Sequence, residues 1–197
     1  MKIELKADIK QLTKKLNKVQ RKQIPFAASN TLNDLAFMAR TELRKQAKKK
    51  FDNPIDFTLN GFQVVKAKKT NLISVVFIES KRYEYMKLEV EGGVRMPKQR
   101  ALVIPTSKMP LNDFGNMKRK QIKTLLGKRN VFSGKVNGKP GIWQNNDNGT
   151  VTRLASYKPS APYKPLFQFE KIVKGIVNSK FRNTFEKNLK HAIKTKR

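Results

Sequence analysis

The chain has 197 residues, with 44 Lys and Arg against 14 Asp and Glu, and a formal net charge of +30 at pH 7. Leu, Ile, Val and Phe form about 27% of it, above the level of disordered chains, so we expect a packed core in one domain, with or without extended arms. The lack of Cys excludes disulfide scaffolds, cysteine nucleophiles and thiolate-bound metals.

The N-terminal residues carry too much charge for an export signal. From Lys2 to Lys10 a charge recurs at nearly every second or third position, whereas a secretory signal needs an apolar stretch. The longest apolar runs, such as 75–78, are far shorter than the roughly 20 residues of a membrane-spanning helix. We therefore expect a soluble protein, and a reduced, intracellular compartment fits the absence of Cys.

Two helices are predicted near the N-terminus. The first covers 8–22 and is amphipathic, and residues 1–22 as a whole are predicted to be an N-terminal arm. Its apolar positions are Ile9, Leu12, Leu16 and Val19. Pro25 fits the first turn of a second helix that runs to about Lys49. The inward stripe of this second helix is expected to be Ala28, Leu32, Leu35, Ala36, Ala39, Leu43 and Ala47.

A β-hairpin is predicted after these helices, with strands at 62–67 and 72–78 and a turn at 68–71. An acidic cluster follows it, formed by Glu79, Glu84, Glu89 and Glu91. Most of this cluster lies in 83–93, which is predicted to be a short helix or strand that ends at two glycines. We expect these carboxylates to form ion pairs on the surface or at an interface.

A basic region begins at about residue 96, and residues 96–165 hold 14 Lys and Arg against two acids. Its densest part, 118–129, is predicted to contain a short helix, and a glycine-punctuated loop is predicted to follow this helix. A second hairpin is predicted around the turn at 145–149. Beyond it, the Pro-rich stretch 157–165 is expected to be extended.

The last predicted element is a helix of seven turns from Phe169 onward. Its apolar stripe is Phe169, Ile172, Val173, Ile176, Val177, Phe181, Phe185, Leu189, Ala192 and Ile193. The elements together predict an α+β fold with N-terminal helices, a small, mostly antiparallel sheet of two hairpins, and a long C-terminal helix. Residues 23–197 are predicted to be one domain with a basic insertion at about 96–140.

Few residues in this sequence are suited to a catalytic role. The one histidine, His191, is expected to be a cation near the end of a helix. A metal-dependent nuclease is a remaining alternative, because Asp56, Glu79 and Lys81 could hold a cation and orient a water near a phosphate. The simpler interpretation is that these charges pair with one another. We expect no enzyme activity, no metal and no cofactor.

The positive charge predicts a polyanionic partner, because +30 exceeds the roughly 2 to 8 charges that solubility requires of a small domain. No base-reading motif accompanies it, so nonspecific contact with a DNA backbone is expected. The alternative is a solvated basic surface. The residues predicted to contact DNA are Lys118, Arg119, Lys120, Lys123, Lys128 and Arg129.

Three stretches resemble the minor tail protein Z family of tailed bacteriophages, which is related to tail-completion and neck proteins. The first is Ala28-Ser-Asn30 followed by Ala36-Phe-Met-Ala-Arg-Thr41, which is similar to the N-terminal helix of the family. The second, Gly141-Ile-Trp-Gln144, is similar to the strand that opens a C-terminal hairpin. The third, Tyr157-Lys-Pro-Ser-Ala-Pro162, resembles a segment that precedes the long terminal helix.

This resemblance implies a structural virion protein that completes or joins the tail at the head–tail junction, as a ring around the DNA channel. Such a protein would be made in the host cytoplasm and would act as a homo-oligomer, six- or twelve-fold. Its partners would be portal, adaptor or tail-tube proteins and the genomic DNA backbone, with no membrane. The interface candidates are Tyr83, Glu84, Glu89, Glu91, Trp143, Tyr157, Pro159 and Pro162. The second hypothesis is a nonspecific nucleic-acid-binding protein, and the nuclease is the third.

Overall fold

The structure, a computed structural model, describes residues 1–7 and 18–195, including their side chains except those of 18–22. Within this part the chain is α+β, with about 42% helix and 27% strand, and the predicted fold class is confirmed. The chain divides into two compact units. Among the described residues, the first unit contains 1–7, 18–90 and 166–195, and the second unit contains 91–165.

The first unit contains a three-stranded antiparallel sheet and four helices among the described residues. The elements up to the end of the sheet are β1 (Lys2–Lys6), α1 (Lys18–Lys50), α2 (Asp56–Leu59), β2 (Phe62–Val65) and β3 (Ile73–Ile78). They are followed by α3 (Ser80–Glu91) and, after the second unit, by α5 (Phe169–Lys194). The strand order is β1-β3-β2, with Val76 of the central strand opposite both Ile3 and Val64. The predicted hairpin at 62–78 is confirmed.

Helix α1 forms one wall of the first core. Every residue of its predicted inward stripe is buried, and those from Leu32 to Ala47 pack in one core with residues of the sheet and of α5. The predicted helix start at Pro25 is wrong, because the helix begins at Lys18 and runs through this proline. Pro25 has no N–H to donate within the helix, but the turns on both sides of it continue the helical path. Of the first predicted helix, residues 8–17 lie outside the described residues.

Helix α5 lies antiparallel to α1 and changes its buried face along its length. Its first turns bury Phe169 and Val173, as predicted. Further along, the buried residues are Thr184, Asn188 and Ala192, whereas Phe181 and Ile193 of the predicted apolar stripe are 45% and 43% exposed. The predicted stripe is therefore wrong at these positions. Polar contacts to α1 set the buried face instead, as the Asn188 amide donates to Asp34 Oδ2 at 2.8 Å and to Thr31 Oγ1 at 3.3 Å.

The second unit contains β4 (Gly93–Arg95), β5 (Leu102–Pro105), α4 (Gln121–Leu126), β6 (Val131–Val136), β7 (Lys139–Asn145), β8 (Val151–Lys158) and β9 (Ala161–Tyr163). Four strands form a sheet in the order β5-β8-β7-β6, and β4 pairs with β9. The predicted hairpin around 145–149 is confirmed as β7 and β8. The two predicted hairpins therefore lie in two different sheets.

A further hairpin, formed by β6 and β7, begins at Val131, where a glycine-punctuated loop was predicted. The prediction of a loop is therefore wrong from Val131 onward. Its turn is Asn137-Gly138, and both residues have left-handed φ angles, of 47° and 77°. Two left-handed residues give the tight turn whose twist matches that of the paired strands.

The two units do not follow the predicted division into an arm, 1–22, and a domain, 23–197. Residues 2–6, inside the predicted arm of residues 1–22, form β1, and Leu5 is buried in the first core. The predicted basic insertion at about 96–140 lies within the second unit. The division into an arm and one domain, 23–197, remains a prediction.

Candidate nucleic-acid interface

The six predicted DNA-contact residues lie on and beside α4. Three of them precede the helix, one lies within it and two follow it. All six side chains are exposed: Lys118, Arg119, Lys120, Lys123, Lys128 and Arg129. The predicted residues are thus all exposed within one stretch of the chain, which we call the basic segment, 118–129.

Buried apolar residues hold the basic segment on the sheet of the second unit. Leu125 of α4 is 6% exposed and packs in a core with Val131 and Ile142. Ile122, also on α4, is partly buried against the same core. Since Ile122 and Leu125 pack in this core, Lys123 of the same helix is left on the solvent side.

Hydrogen bonds fix both ends of the basic segment. At its start, the Lys118 N–H donates to Gln121 Oε1 at 2.6 Å, and the Gln121 amide donates to the Pro110 carbonyl. Lys120 adopts a left-handed φ of 62° immediately before α4. At its end, the N–H of Gly127 donates to the Lys123 carbonyl at 3.1 Å. The backbone thus presents the cations from an ordered turn, helix and turn.

The charged residues in and around the basic segment are almost all positive. Between Asp113 and Asp147 the chain has no acidic residue. The same stretch contains eight cations, which are the six residues named above together with Lys135 and Lys139. Duplex DNA carries one negative charge per roughly 1.7 Å, and Lys or Arg contacts to it release counterions. The basic segment can therefore contact several neighbouring phosphates without competition from carboxylates within its own stretch.

Two further cations and two aromatic residues in this part of the molecule were not among the residues predicted from the sequence. Lys135 and Lys139 flank the turn of the β6–β7 hairpin and are exposed, and the Asn137-Gly138 turn was the signal that could have placed them. Phe114 and Phe132 are 46% and 36% exposed, and each lies within four positions of a cation of the basic segment. Aromatic and basic residues together can stack bases and hold phosphates.

The predicted interface residues fall into two sets. Four lie on α3, where Glu84 and Glu91 are exposed while Tyr83 and Glu89 are partly buried. The others lie in the second unit, where Trp143 is 7% exposed with the Arg153 guanidinium 5.7 Å from its ring centroid.

Tyr157 belongs to the second set, and its hydroxyl is hydrogen-bonded to Ser133 Oγ at 2.7 Å. Pro159 and Pro162 of this set are both exposed. The role of these eight residues at a subunit interface remains a prediction.

The residues considered for metal chemistry lie outside the basic segment. Glu79 forms an ion pair with Arg82, whose Nε donates to the Phe57 carbonyl at 2.7 Å. In the described residues, no group of three or more His, Cys, Asp or Glu side chains is arranged to hold a metal ion. His191 is exposed near the end of α5.

The first sheet carries a small exposed charge cluster on β1. Glu4 is bonded to Lys6 and Lys2, at 2.9 Å and 3.4 Å. The hydrogen bond from Lys6, followed by the positive charges of Lys6 and Lys2, lowers the pKa of Glu4. The Glu4 carboxylate is therefore held by ion pairs with two lysines of its own strand.

Among residues 1–7 and 18–195, no helix is long and apolar enough to span a membrane. No family model matches the chain, and neither a curated protein nor a solved structure has significant similarity to it.

Proposed function

We propose that this chain is a non-enzymatic structural protein of a phage virion, which completes or joins the tail at the head–tail junction as a ring around the DNA channel. The observation that carries the proposal is the basic segment, with six exposed cations and no acid among them. A subunit repeated around a channel multiplies this surface, so a few cations per copy attract DNA strongly.

The proposed contact holds DNA without reading its sequence. Helix α4 has six residues, about 9 Å of helix, which gives little length for recognition in a major groove. Backbone contacts position a protein on DNA and carry no sequence information by themselves. A protein that lets DNA pass through a channel needs this kind of contact. The motifs that resemble the minor tail protein Z family support the same role, with portal, adaptor or tail-tube proteins as neighbours.

A nonspecific nucleic-acid-binding protein is the second candidate function. It is favoured by Phe114 and Phe132, because exposed aromatic rings near cations are the usual means of binding single strands. The two candidates differ in assembly, since a coating protein can act as a monomer. They also differ in substrate, since base stacking requires single-stranded nucleic acid.

The mass of the purified full-length chain tests the proposal against this alternative. We expect a closed oligomer of six or twelve copies by native mass spectrometry and by light scattering, in the absence of DNA. We also expect similar affinity for two duplexes of unrelated sequence. A monomer that prefers single strands would contradict the virion proposal and support the second candidate.

A further inference from the structure

One helix face in the first unit is apolar, and each of its four residues is exposed or only partly buried. It consists of Phe181, Phe185, Leu189 and Ile193 at successive i, i+4 positions of α5, and we call it the α5 ridge. Phe181 and Ile193 are 45% and 43% exposed. The rings of Phe181 and Phe185 stack with centroids 5.9 Å apart and an interplanar angle of 8°. The ridge is therefore an ordered apolar surface.

A second exposed apolar surface is formed by Phe57 of α2 and Tyr85 of α3, which we call the aromatic patch. Phe57 is 52% exposed and Tyr85 is 48% exposed, with ring centroids 6.5 Å apart and an interplanar angle of 22°. The Arg82 guanidinium lies 4.3 Å from the Phe57 centroid, and the Tyr85 hydroxyl donates to Thr58 Oγ1 at 3.3 Å. Because these contacts already order the patch, little conformational entropy is lost when it binds a partner.

The two surfaces carry opposite charge. Residues 52–59 and 79–91, which contain the aromatic patch, hold six acids and three bases in a chain of net charge +30. Asp56 and Glu84 are exposed and adjoin Phe57 and Tyr85 in the chain. Residues 180–194, which contain the α5 ridge, hold five Lys and Arg and one acid. Apolar surfaces with complementary charged surroundings form the pattern of a specific protein interface.

The two surfaces also lie at opposite ends of the α1–α5 helix pair. The aromatic patch follows the end of α1, where the Phe51 ring lies 5.2 Å from that of Phe167, just before α5 begins. The ridge lies at the other end, where Asn188 contacts Thr31 and Asp34. Phe185 is 16 residues beyond Phe169, about 24 Å along the helix. One copy therefore cannot place its own ridge on its own patch.

We infer that the α5 ridge of one copy docks on the aromatic patch of a second copy, in a head-to-tail contact. In a pair of copies, one then retains a free patch and the other retains a free ridge, so further copies can be added at both ends. Such a head-to-tail contact closes into a ring when the rotation between copies permits it. The inference rests on the proposed function, since it identifies the surfaces that would join the subunits of the ring.

Two variants of the full-length chain test this contact. The ridge variant is Phe181→Gln with Ile193→Gln, and the patch variant is Phe57→Gln with Tyr85→Gln. Because all four side chains are exposed, both variants should fold, and far-UV circular dichroism would check this. Each variant alone should be monomeric by native mass spectrometry. An equimolar mixture should form a 1:1 dimer, because one intact ridge then meets one intact patch.

The controls separate this inference from the proposed function. The variant Val94→Gln with Val151→Gln removes two apolar side chains that are 57% and 41% exposed in the second unit, and it should keep the wild-type mass. Glu84→Lys should weaken assembly several-fold at low salt and less at high salt, where exposed charges are screened. Ridge and patch variants that keep the wild-type oligomer, or a mixture that stays monomeric, would overturn the contact alone. A monomeric wild-type chain would overturn both the contact and the proposed ring.

Discussion

Replacing Phe167 by Ala should lower the free energy of unfolding of the first unit by about 3–5 kcal/mol, the usual cost of truncating a buried Phe. Phe167 is 1% exposed, and its ring centroid lies 5.2 Å from that of Phe51 and 5.5 Å from that of Phe62. It therefore joins the end of α1, the start of β2 and the residues that lead into α5. Its loss would leave a cavity where these three elements meet.

Leu166→Ala is the matched control for Phe167→Ala. Leu166 precedes Phe167 in the chain but is 53% exposed, so its truncation should change stability by no more than about 0.5 kcal/mol. Urea denaturation followed by far-UV circular dichroism measures both effects. Trp143, the one tryptophan of the chain, lies in the second unit, and its fluorescence follows that unit separately. Equal losses for the two variants would contradict the described core.

The second large effect is expected on the affinity of the chain for DNA. Replacing Lys118, Arg119, Lys120 and Lys123 by Gln should weaken binding to duplex DNA and make it less dependent on salt. Removal of one phosphate contact should reduce the slope of log affinity against log salt by about 0.9, or about 3.6 if all four residues contact phosphate. Fluorescence anisotropy with a labelled duplex at several salt concentrations measures this slope.

A variant with the same change in net charge separates local contact from total charge. Lys45, Lys48, Lys49 and Lys50 are exposed near the end of α1, and replacing them by Gln also removes four positive charges. This control should retain most of the wild-type slope. Equal slopes for the two variants would show that the basic segment has no special part in DNA binding.

Much of the fold follows from patterns that are local in the sequence. The small and branched residues on one face of α1 predicted its buried stripe, and alternating β-rich stretches predicted the hairpin at 62–78. The start of α1 could not be placed in this way. The rule that Pro begins a helix describes one position, whereas here the helix extends beyond Pro25 in both directions.

The second half of α5 shows a different limit of sequence patterns. Phe181, Phe185, Leu189 and Ile193 continue the apolar spacing of the first half, so periodicity assigns them to the core. The structure leaves Phe181 and Ile193 exposed and buries Thr184 and Asn188, because Asn188 has hydrogen-bond partners on α1. Those partners lie more than 150 residues away in the chain. No pattern within one helix reveals them.

The candidate site was predictable in part. A dense run of cations without acids is visible in the sequence, and all six predicted residues are exposed as expected for a binding surface. Lys135 and Lys139 were missed because the hairpin that presents them was predicted as a loop. The aromatic patch was missed because Phe57 and Tyr85 come together only through tertiary contacts, in which Arg82 holds Phe57.

The location of the chain in a virus particle tests its proposed role most directly. On this proposal the chain is encoded by a tailed phage, whose particles can be purified and imaged by electron microscopy with a gold label on a C-terminal tag of the chain. We expect the label in a ring at the head–tail junction, and an averaged reconstruction should place the basic segment on the side that faces the DNA channel. Purified particles that lack the chain, or that carry it away from the tail and the junction, would contradict the proposal.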